Sequence, residues 1–131
     1  MPSRLTTDAL VNAAPPWLRI AASEISMAQF DYYANPNPQT SEWAPYIVDL
    51  QHDMLSSLST RVMAPLVVSE PSGEPTMQRL NPVLTIEGRE YFLSTTEMAS
   101  IPVRELAPRC GNLVKHRGEL LAAVDLLFTA V

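Results

Sequence analysis

The sequence is poor in cysteine and in clustered basic residues. Cys110 is the single cysteine among 131 residues, which excludes an internal disulfide framework and fits a reducing cytoplasm. No neighbouring base would activate its thiol, so we interpret Cys110 as a packing residue. The nine Lys and Arg residues form no run and the formal net charge is -5, which disfavours a grip on nucleic acid. An acidic folded chain of this kind points to a protein partner or a small molecule.

Long apolar runs are also missing. No segment approaches the roughly 18 apolar residues that a membrane-spanning helix needs, so no membrane partner is expected. Polar residues and the Pro15–Pro16 pair interrupt each apolar stretch within residues 1–26, which argues against a signal peptide. We predict that residues 1–26 are a loose extension, or that Met27 is the true start, and that residues 27–131 form the folded domain.

The chain does contain enough apolar residues for one core. Hydrophobic residues make up 47% and charged residues 18%, and twelve prolines against four glycines favour short, interrupted elements. The strongest local signal is a hairpin, with two strand-like runs joined by Glu87–Gly88. Pro65 has no amide proton, so its strand is predicted to lie at a sheet edge or to be bulged. The other predicted strands are Gln29–Tyr33, Tyr46–Gln51, Arg61–Ser69 and Ile101–Leu106.

A helical pattern closes the sequence, from about Asn112 to Phe128. One stripe holds Leu113, Leu120, Val124, Leu127 and Val131, with Leu121 and Phe128 beside it and Lys115, Glu119 and Ala122 opposite. Leu126 breaks the pattern, because it points toward the polar side. Short strands followed by one helix predict an α+β domain that is mainly β, a compact antiparallel barrel with the helix closing it.

Several polar residues invite a functional interpretation. Asp49, His52 and Asp53 lie within five residues, but this spacing is a weak metal signature, and a solvated turn is favoured. Arg61 is expected to pair with a carboxylate. The segment "TTEMASIPV" is interpreted as a tight connection whose hydroxyl and backbone groups satisfy each other, with Met98 filling the core.

Three stretches resemble the CcdB family, toxins of type II toxin–antitoxin modules. They are "DLQHDMLSSLSTRVMAPL" (Asp49–Leu66), "LNPVLTIEGREYFLSTTEMASIPVREL" (Leu80–Leu106) and "AAVDLLF" (Ala122–Phe128). The shared motifs are D-hydrophobic-Q-x-D, an apolar-Pro-Leu strand end and T-T-x-M-A-S-hydrophobic-P-V. The resemblance runs from Gln29 to Val131. The family opens with Met-Gln-Phe, which resembles Met27-Ala28-Gln29-Phe30 and favours Met27 as the start.

The resemblance implies a homodimer of small SH3-like barrels, each with a C-terminal helix. Such a protein is cytoplasmic, binds the GyrA subunit of DNA gyrase and traps its cleavage complex. It uses no catalytic residues, metal or cofactor. A CcdA-like antitoxin neutralises it, and the two proteins together repress their own operon, so DNA is met only through that complex. The biological role implied is plasmid maintenance.

The resemblance also places the gyrase contacts of the family on this sequence. The matching positions are Met54, Leu55, Asp125, Phe128, Thr129, Ala130 and Val131. Gyrase-poisoning members end in Trp-Gly-Ile, whereas this chain ends in Thr129-Ala130-Val131. The family has asparagine at the position of Asp125, and two isoleucines at the positions of Met54 and Leu55.

Two other functions stay open at this point. A MazF-like endoribonuclease toxin shares this kind of barrel, but its chemistry needs an acid–base pair or cations in a basic groove. An acidic chain with scattered arginines supplies that poorly. The other alternative is a degenerate, non-toxic module that only binds an antitoxin.

Overall fold

The computed structural model describes residues 27–55, 57–69 and 77–129, which form seven strands and one α-helix. The strands are β1 Asp31–Ala34, β2 Tyr46–Asp49, β3 Thr60–Val68, β4 Val83–Ile86, β5 Arg89–Leu93, β6 Ala99–Pro102 and β7 Gly111–Asn112. The helix α1 spans Arg117–Phe128, and short 3-10 turns occupy Asp53–Leu55, Thr95–Glu97, Val103–Glu105 and Val114–His116. The extension expected over residues 1–26 lies outside the described residues.

The strands form one curled, antiparallel half-barrel sheet in the order β4-β5-β3-β2-β1-β7. The long strand β3 has β2 along one side, while β6 and β5 share the other side. β6 pairs with Thr60–Met63, and β5 pairs with Leu66–Val68. The expected α+β class, mainly β with a C-terminal helix, is confirmed.

Pro65 lies in the middle of the sheet, so the expectation of an edge position is wrong. Leu50 donates its amide to the Val62 carbonyl at 2.9 Å, which makes Ile47–Pro65 a non-hydrogen-bonded pair of the β2–β3 ladder. The nitrogen of Pro65 therefore faces away from β2, toward the opposite side of β3. On that side Pro65 lies between the segment paired with β6 and the segment paired with β5. The only ladder bond needed there is accepted by the Pro65 carbonyl, from the amide of Ser94 at 2.9 Å.

The predicted hairpin is confirmed as β4 and β5, joined by Glu87 and Gly88. Both turn residues have positive φ, 50° for Glu87 and 81° for Gly88. This is the backbone of a type I′ turn, whose twist matches that of the flanking strands. Gly88 adopts it without steric cost, whereas Glu87 is a non-glycine residue in the left-handed region.

The C-terminal helix begins later than the sequence pattern predicted. Asn112 belongs to β7, and Val114–His116 form a 3-10 turn before α1. β7 pairs with β1 and was not anticipated. It approaches closely because of Gly111: a Cβ atom there would lie 2.7 Å from the ring of Tyr32.

The inner face of α1 is centred slightly away from the predicted leucine stripe. Leu113 and Leu120 are buried as predicted, while Val124 and Leu127 are half-buried. Ala123, which the stripe omitted, is fully buried. Ala123 therefore belongs to the inner face of the helix together with Leu120.

The two faces of the sheet carry separate apolar clusters, because successive strand residues point to opposite sides. The cluster beneath α1 includes Tyr32, Val48, Ala64 and Leu120. The cluster on the other face consists of Met27, Tyr33, Ile47, Met63 and Val103. Since Met27 is buried there, the folded domain includes this residue.

A buried ion pair joins the end of β2 to the start of β3. Both side chains are 0% exposed; Oδ2 of Asp49 accepts a hydrogen bond from Nε of Arg61 at 2.7 Å and lies 2.6 Å from Nη2. This confirms the carboxylate partner expected for Arg61. Nη1 of Arg61 has no hydrogen-bond partner within the described part of the chain. Burial raises the pKa of Asp49 to about 6, although the neighbouring guanidinium opposes the rise.

Removing one partner of this pair is expected to destabilise the fold strongly. At about pH 8, where Asp49 of the native chain is ionised, Asp49→Leu leaves the buried charge of Arg61 without a counter-ion, which costs about 3–5 kcal/mol of unfolding free energy. The double variant Asp49→Leu/Arg61→Met has neither charge and should regain most of this loss. Urea denaturation monitored by circular dichroism measures both values. A double variant no more stable than the single one would contradict the assignment.

The raised pKa of Asp49 predicts a pH dependence of definite sign. The folded value of about 6 lies above the ordinary value of 3.8, so the folded state binds the proton more tightly. The contribution of Asp49 to stability is therefore full below pH 3.8 and is lost as the pH rises through about 6. The stability of the native chain minus that of the Asp49→Leu/Arg61→Met variant should fall over this interval, because other titrations cancel. A rising difference would refute the raised pKa.

Candidate functional site

The turn that carries Met54 and Leu55 is held by the polar residues of the D-hydrophobic-Q-x-D motif. Oδ1 of Asp49 accepts from the amide of Gln51 at 2.9 Å, and the Gln51 carbonyl accepts from Arg61 at 3.0 Å. The ion pair is thereby connected to the residue that begins the turn.

The Gln51 side chain spans the loop from its entry to its exit. Its Nε2 donates to the carbonyls of Leu55 at 3.2 Å and Thr60 at 3.3 Å, and its Oε1 accepts from the amide of Val62 at 3.1 Å. A glutamine serves here because one amide group both donates and accepts. One of these three hydrogen bonds holds the turn at Leu55, and the other two fix Gln51 to β3.

The remaining motif residue ties the turn to the N-terminal side of the sheet. Oδ1 of Asp53 accepts from the amide of Gln29 at 2.6 Å, while Nδ1 of His52 accepts from the amide of Met54 at 3.0 Å. His52 and Asp53 are exposed, as a solvated turn predicts, but Asp49 is buried, so that interpretation is wrong for Asp49. Its carboxylate faces Arg61 and not the turn surface, so the three groups do not converge.

The second group of predicted site residues lies at the end of α1. The side chain of Phe128 is 71% exposed, more than any other large hydrophobic residue in the described ranges. Asp125 and Thr129 are exposed as well. The amide of Thr129 at 2.8 Å and its Oγ1 at 2.6 Å both donate to the Asp125 carbonyl. The last turn of the helix is therefore closed by Thr129, while the phenyl ring stays in solvent.

The electrostatics of this helix end are unfavourable for the fold alone. Asp125 places a carboxylate in the last turn, where the helix dipole is negative, and no basic residue occupies that turn. Leu126, expected on the polar side, is half-buried. The structure thus presents Phe128 beside an exposed carboxylate, a combination that contributes little to packing.

The two predicted groups occupy separate elements. Met54 and Leu55 are half-buried in the 3-10 turn after β2, while Asp125, Phe128 and Thr129 end α1. Ala130 and Val131, the other two predicted residues, lie outside the described residues.

The segment between β5 and β6 supports α1 from below. Thr95 is fully buried and its hydroxyl donates to the Leu80 carbonyl, while Ser94 Oγ donates to Glu97 at 2.5 Å. The Thr95–Glu97 turn contacts α1, and Met98 packs against the cluster beneath it. The core position expected for Met98 is confirmed, but the motif does not satisfy itself, because the buried Thr95 hydroxyl finds its acceptor outside it, on Leu80.

The prediction that Cys110 is a packing residue is wrong, because its side chain is exposed. Its segment approaches β1 through the backbone, with the Cys110 amide donating to the Tyr32 carbonyl at 2.8 Å. Two exposed apolar side chains, Trp43 and Met77, also gave no sequence signal, since neither belongs to a periodic pattern. In the described ranges, no helix could span a bilayer and no three potential ligand side chains are grouped for a metal.

Phe128 and Leu120 should respond differently to truncation. Phe128→Ala removes an exposed ring and is expected to change the unfolding free energy by less than about 0.5 kcal/mol. Leu120→Ala on the same helix empties a fully buried site and is expected to cost about 2–5 kcal/mol. Thermal and urea unfolding compare the two variants. A large loss in Phe128→Ala would mean that the ring is packed in the folded protein.

The residues described above fall within one continuous segment that matches the model of a known protein family. The model of the CcdB family, described as CcdB protein, matches residues 29–130, which include the motif-built turn, the β4–β5 hairpin and α1. This covers most of the chain. The protein therefore belongs to the CcdB family, toxins of toxin–antitoxin modules that target DNA gyrase.

Proposed function

We propose that this chain is a non-enzymatic toxin that binds the GyrA subunit of DNA gyrase and traps the cleavage complex. Its contact surface would consist of the turn at Met54 and Leu55 and the end of α1 at Asp125, Phe128, Thr129, Ala130 and Val131. The observation that carries the proposal is the exposed ring of Phe128, in a chain that belongs to a gyrase-targeting family.

The mechanism needs binding energy alone. A bulky ring at the end of a helix can enter a pocket of another protein, and a few such residues supply most of the affinity of an interface. The turn at Met54 is fixed before binding by Gln51 and Asp53, so little conformational entropy remains to be lost there. Holding one state of a cycling enzyme then suffices to stop its cycle.

The proposal extends to the partners of the toxin. The active unit would be a homodimer, neutralised by a CcdA-like antitoxin in the cytoplasm. The toxin–antitoxin complex would repress its own operon, with DNA contacted through the antitoxin, and the module would serve plasmid maintenance. The net charge of -5 supports an indirect contact, since phosphate binding relies on clustered cations.

A second function is favoured by one observation at the chain end. Thr129 stands where gyrase-poisoning members carry tryptophan, and loss of a hot-spot tryptophan lowers affinity by about 30- to 1,000-fold. A chain that keeps the fold but lacks this contact would be a module that binds antitoxin without poisoning gyrase.

The test combines one variant that removes an apolar ring from the end of α1 with one that adds a ring there. The full chain, Phe128→Ala and Thr129→Trp are purified and incubated with gyrase and supercoiled plasmid DNA, and linear DNA is quantified after detergent treatment. We expect cleavage complexes with the native chain, at least about tenfold fewer with Phe128→Ala, and more with Thr129→Trp at equal concentration. Ala122→Ser, on the exposed side of the same helix, is the matched control and should behave like the native chain.

The outcomes separate the candidate functions. Cleavage complexes from Thr129→Trp alone would identify the non-toxic module, and their absence from all variants would overturn gyrase binding. RNA fragments produced by the native chain in a parallel reaction would identify an endoribonuclease instead.

A further inference from the structure

The last turns of α1 carry a single charged side chain. Asp125 is the only charged residue between Leu120 and Phe128, and Phe128 follows it three positions later. Residues three apart on a helix are neighbours on its surface, and here the neighbour of the exposed Asp125 is a ring that is 71% exposed. A partner that receives the ring of Phe128 therefore meets the carboxylate of Asp125 as well.

The fold makes no use of this carboxylate. Within the described residues it belongs to no ion pair and accepts no hydrogen bond, whereas the main-chain carbonyl of Asp125 accepts both hydrogen bonds from Thr129. A negative charge at the C-terminal end of a helix also opposes the helix dipole and lowers stability. The charge of Asp125 thus stands where it is unfavourable for the isolated chain.

The other carboxylate of α1 shows the opposite arrangement. Glu119 lies in the first turn of the helix, where the dipole is positive, and its Oε1 is 3.7 Å from Nδ1 of His116. The charge of Glu119 therefore has favourable surroundings within the chain. The two acids of one helix differ in this respect, and Glu119 serves as an internal comparison for Asp125.

Two 3-10 turns pack against α1, and neither supplies a cation at the far end of the helix. The turn Val114–His116 leads into Arg117, which is about 12 Å from Asp125 along the helix axis. The turn Thr95–Glu97 adds only the exposed carboxylate of Glu97. Arg79 lines a groove beside α1 but forms no ion pair with Asp125. The described surroundings of Asp125 therefore leave its charge unmatched.

The chemistry of the proposed partner is complementary to this charge. Enzymes that hold DNA present lysine and arginine side chains to the phosphates. A chain with a net charge of -5 approaches such a surface faster than a neutral chain would. A cation beside the pocket that takes the ring would also be partly shielded from water, where a charge pair is screened less than at an open surface.

We propose that Asp125 is a specificity-determining residue, which selects a partner surface where an arginine or lysine borders the pocket that receives the ring of Phe128. This inference rests on the proposed binding of gyrase and adds the chemistry of the contact. The ring supplies the apolar contact, and the carboxylate decides which apolar pockets are accepted.

The affinity and the stability of Asp125→Asn should respond differently. The full chains are bound to immobilised gyrase holoenzyme, and dissociation constants are measured at about 50 and 300 mM salt. We expect Asp125→Asn to bind about 5- to 20-fold more weakly than the native chain at the lower salt, with a smaller difference at the higher salt. Asp125→Lys should lose at least about 100-fold. The urea midpoint of Asp125→Asn should equal or exceed that of the native chain, because no charge then opposes the dipole.

Glu119→Gln is the matched control, because it removes a carboxylate from the other end of the same helix. It should bind like the native chain at both salt concentrations. The partner cation is then identified by replacing single arginine and lysine residues of the GyrA surface with glutamine. One replacement should weaken the native chain and leave Asp125→Asn unchanged, since the charge pair is already broken in that variant.

The outcomes separate this inference from the proposed function. Equal or tighter binding of Asp125→Asn, or a weakening that Glu119→Gln reproduces, would overturn the inference while gyrase binding stands. A salt effect of the same size in the native chain and Asp125→Asn, or the lack of any coupled GyrA cation, would do the same. If the native chain does not bind, the comparison is repeated with Thr129→Trp as the parent. No binding by either parent would overturn the proposed function and this inference together.

Discussion

The contact between Asp49 and Arg61 determines how the other parts of the domain are arranged. Two fully buried charges are tolerated only where geometry is good and the remaining groups are satisfied. Here the pair fixes the end of β2 against the start of β3, and through Gln51 it fixes the turn between them. The D-hydrophobic-Q-x-D motif of the sequence is thus a set of linked hydrogen bonds in the structure. These bonds hold the turn that carries Met54 and Leu55.

The strand β3 connects this ion pair to the rest of the sheet. It pairs with β2 along one side and with two different strands along the other, and Pro65 occupies the point of exchange. The connection from β5 to β6 then supports α1, whose inner face is anchored by Leu120 and Ala123. Because that anchor lies before the last turn, Phe128 extends beyond the core and remains in solvent.

Features with a local signature could be predicted from the sequence, and features that depend on distant partners could not. The Glu87–Gly88 hairpin and the carboxylate partner of Arg61 belong to the first kind. β7 is too short to show periodicity, and it depends on a glycine fitting against Tyr32. Pro65 suggested an edge strand because proline has no amide proton to donate. Its nitrogen instead lies at the point where β3 changes partner from β6 to β5, and those strands are distant in the sequence. Phe128 lies beside the predicted leucine stripe of the helix. The pattern alone therefore could not distinguish a solvent-exposed position from a core position.

The pairing of β1 with β7 has a consequence for biosynthesis. Asp31 and Asn112 are 81 positions apart, and they are joined both in the ladder and by a side-chain hydrogen bond of 2.8 Å. Contacts between such distant residues form late, since a long loop must close first. A nascent chain on the ribosome cannot complete its sheet until β7 has emerged, and α1 follows directly after it. Phe128 is therefore synthesised after every strand of the described sheet, and the helix that carries it forms on a sheet whose strands have all been translated.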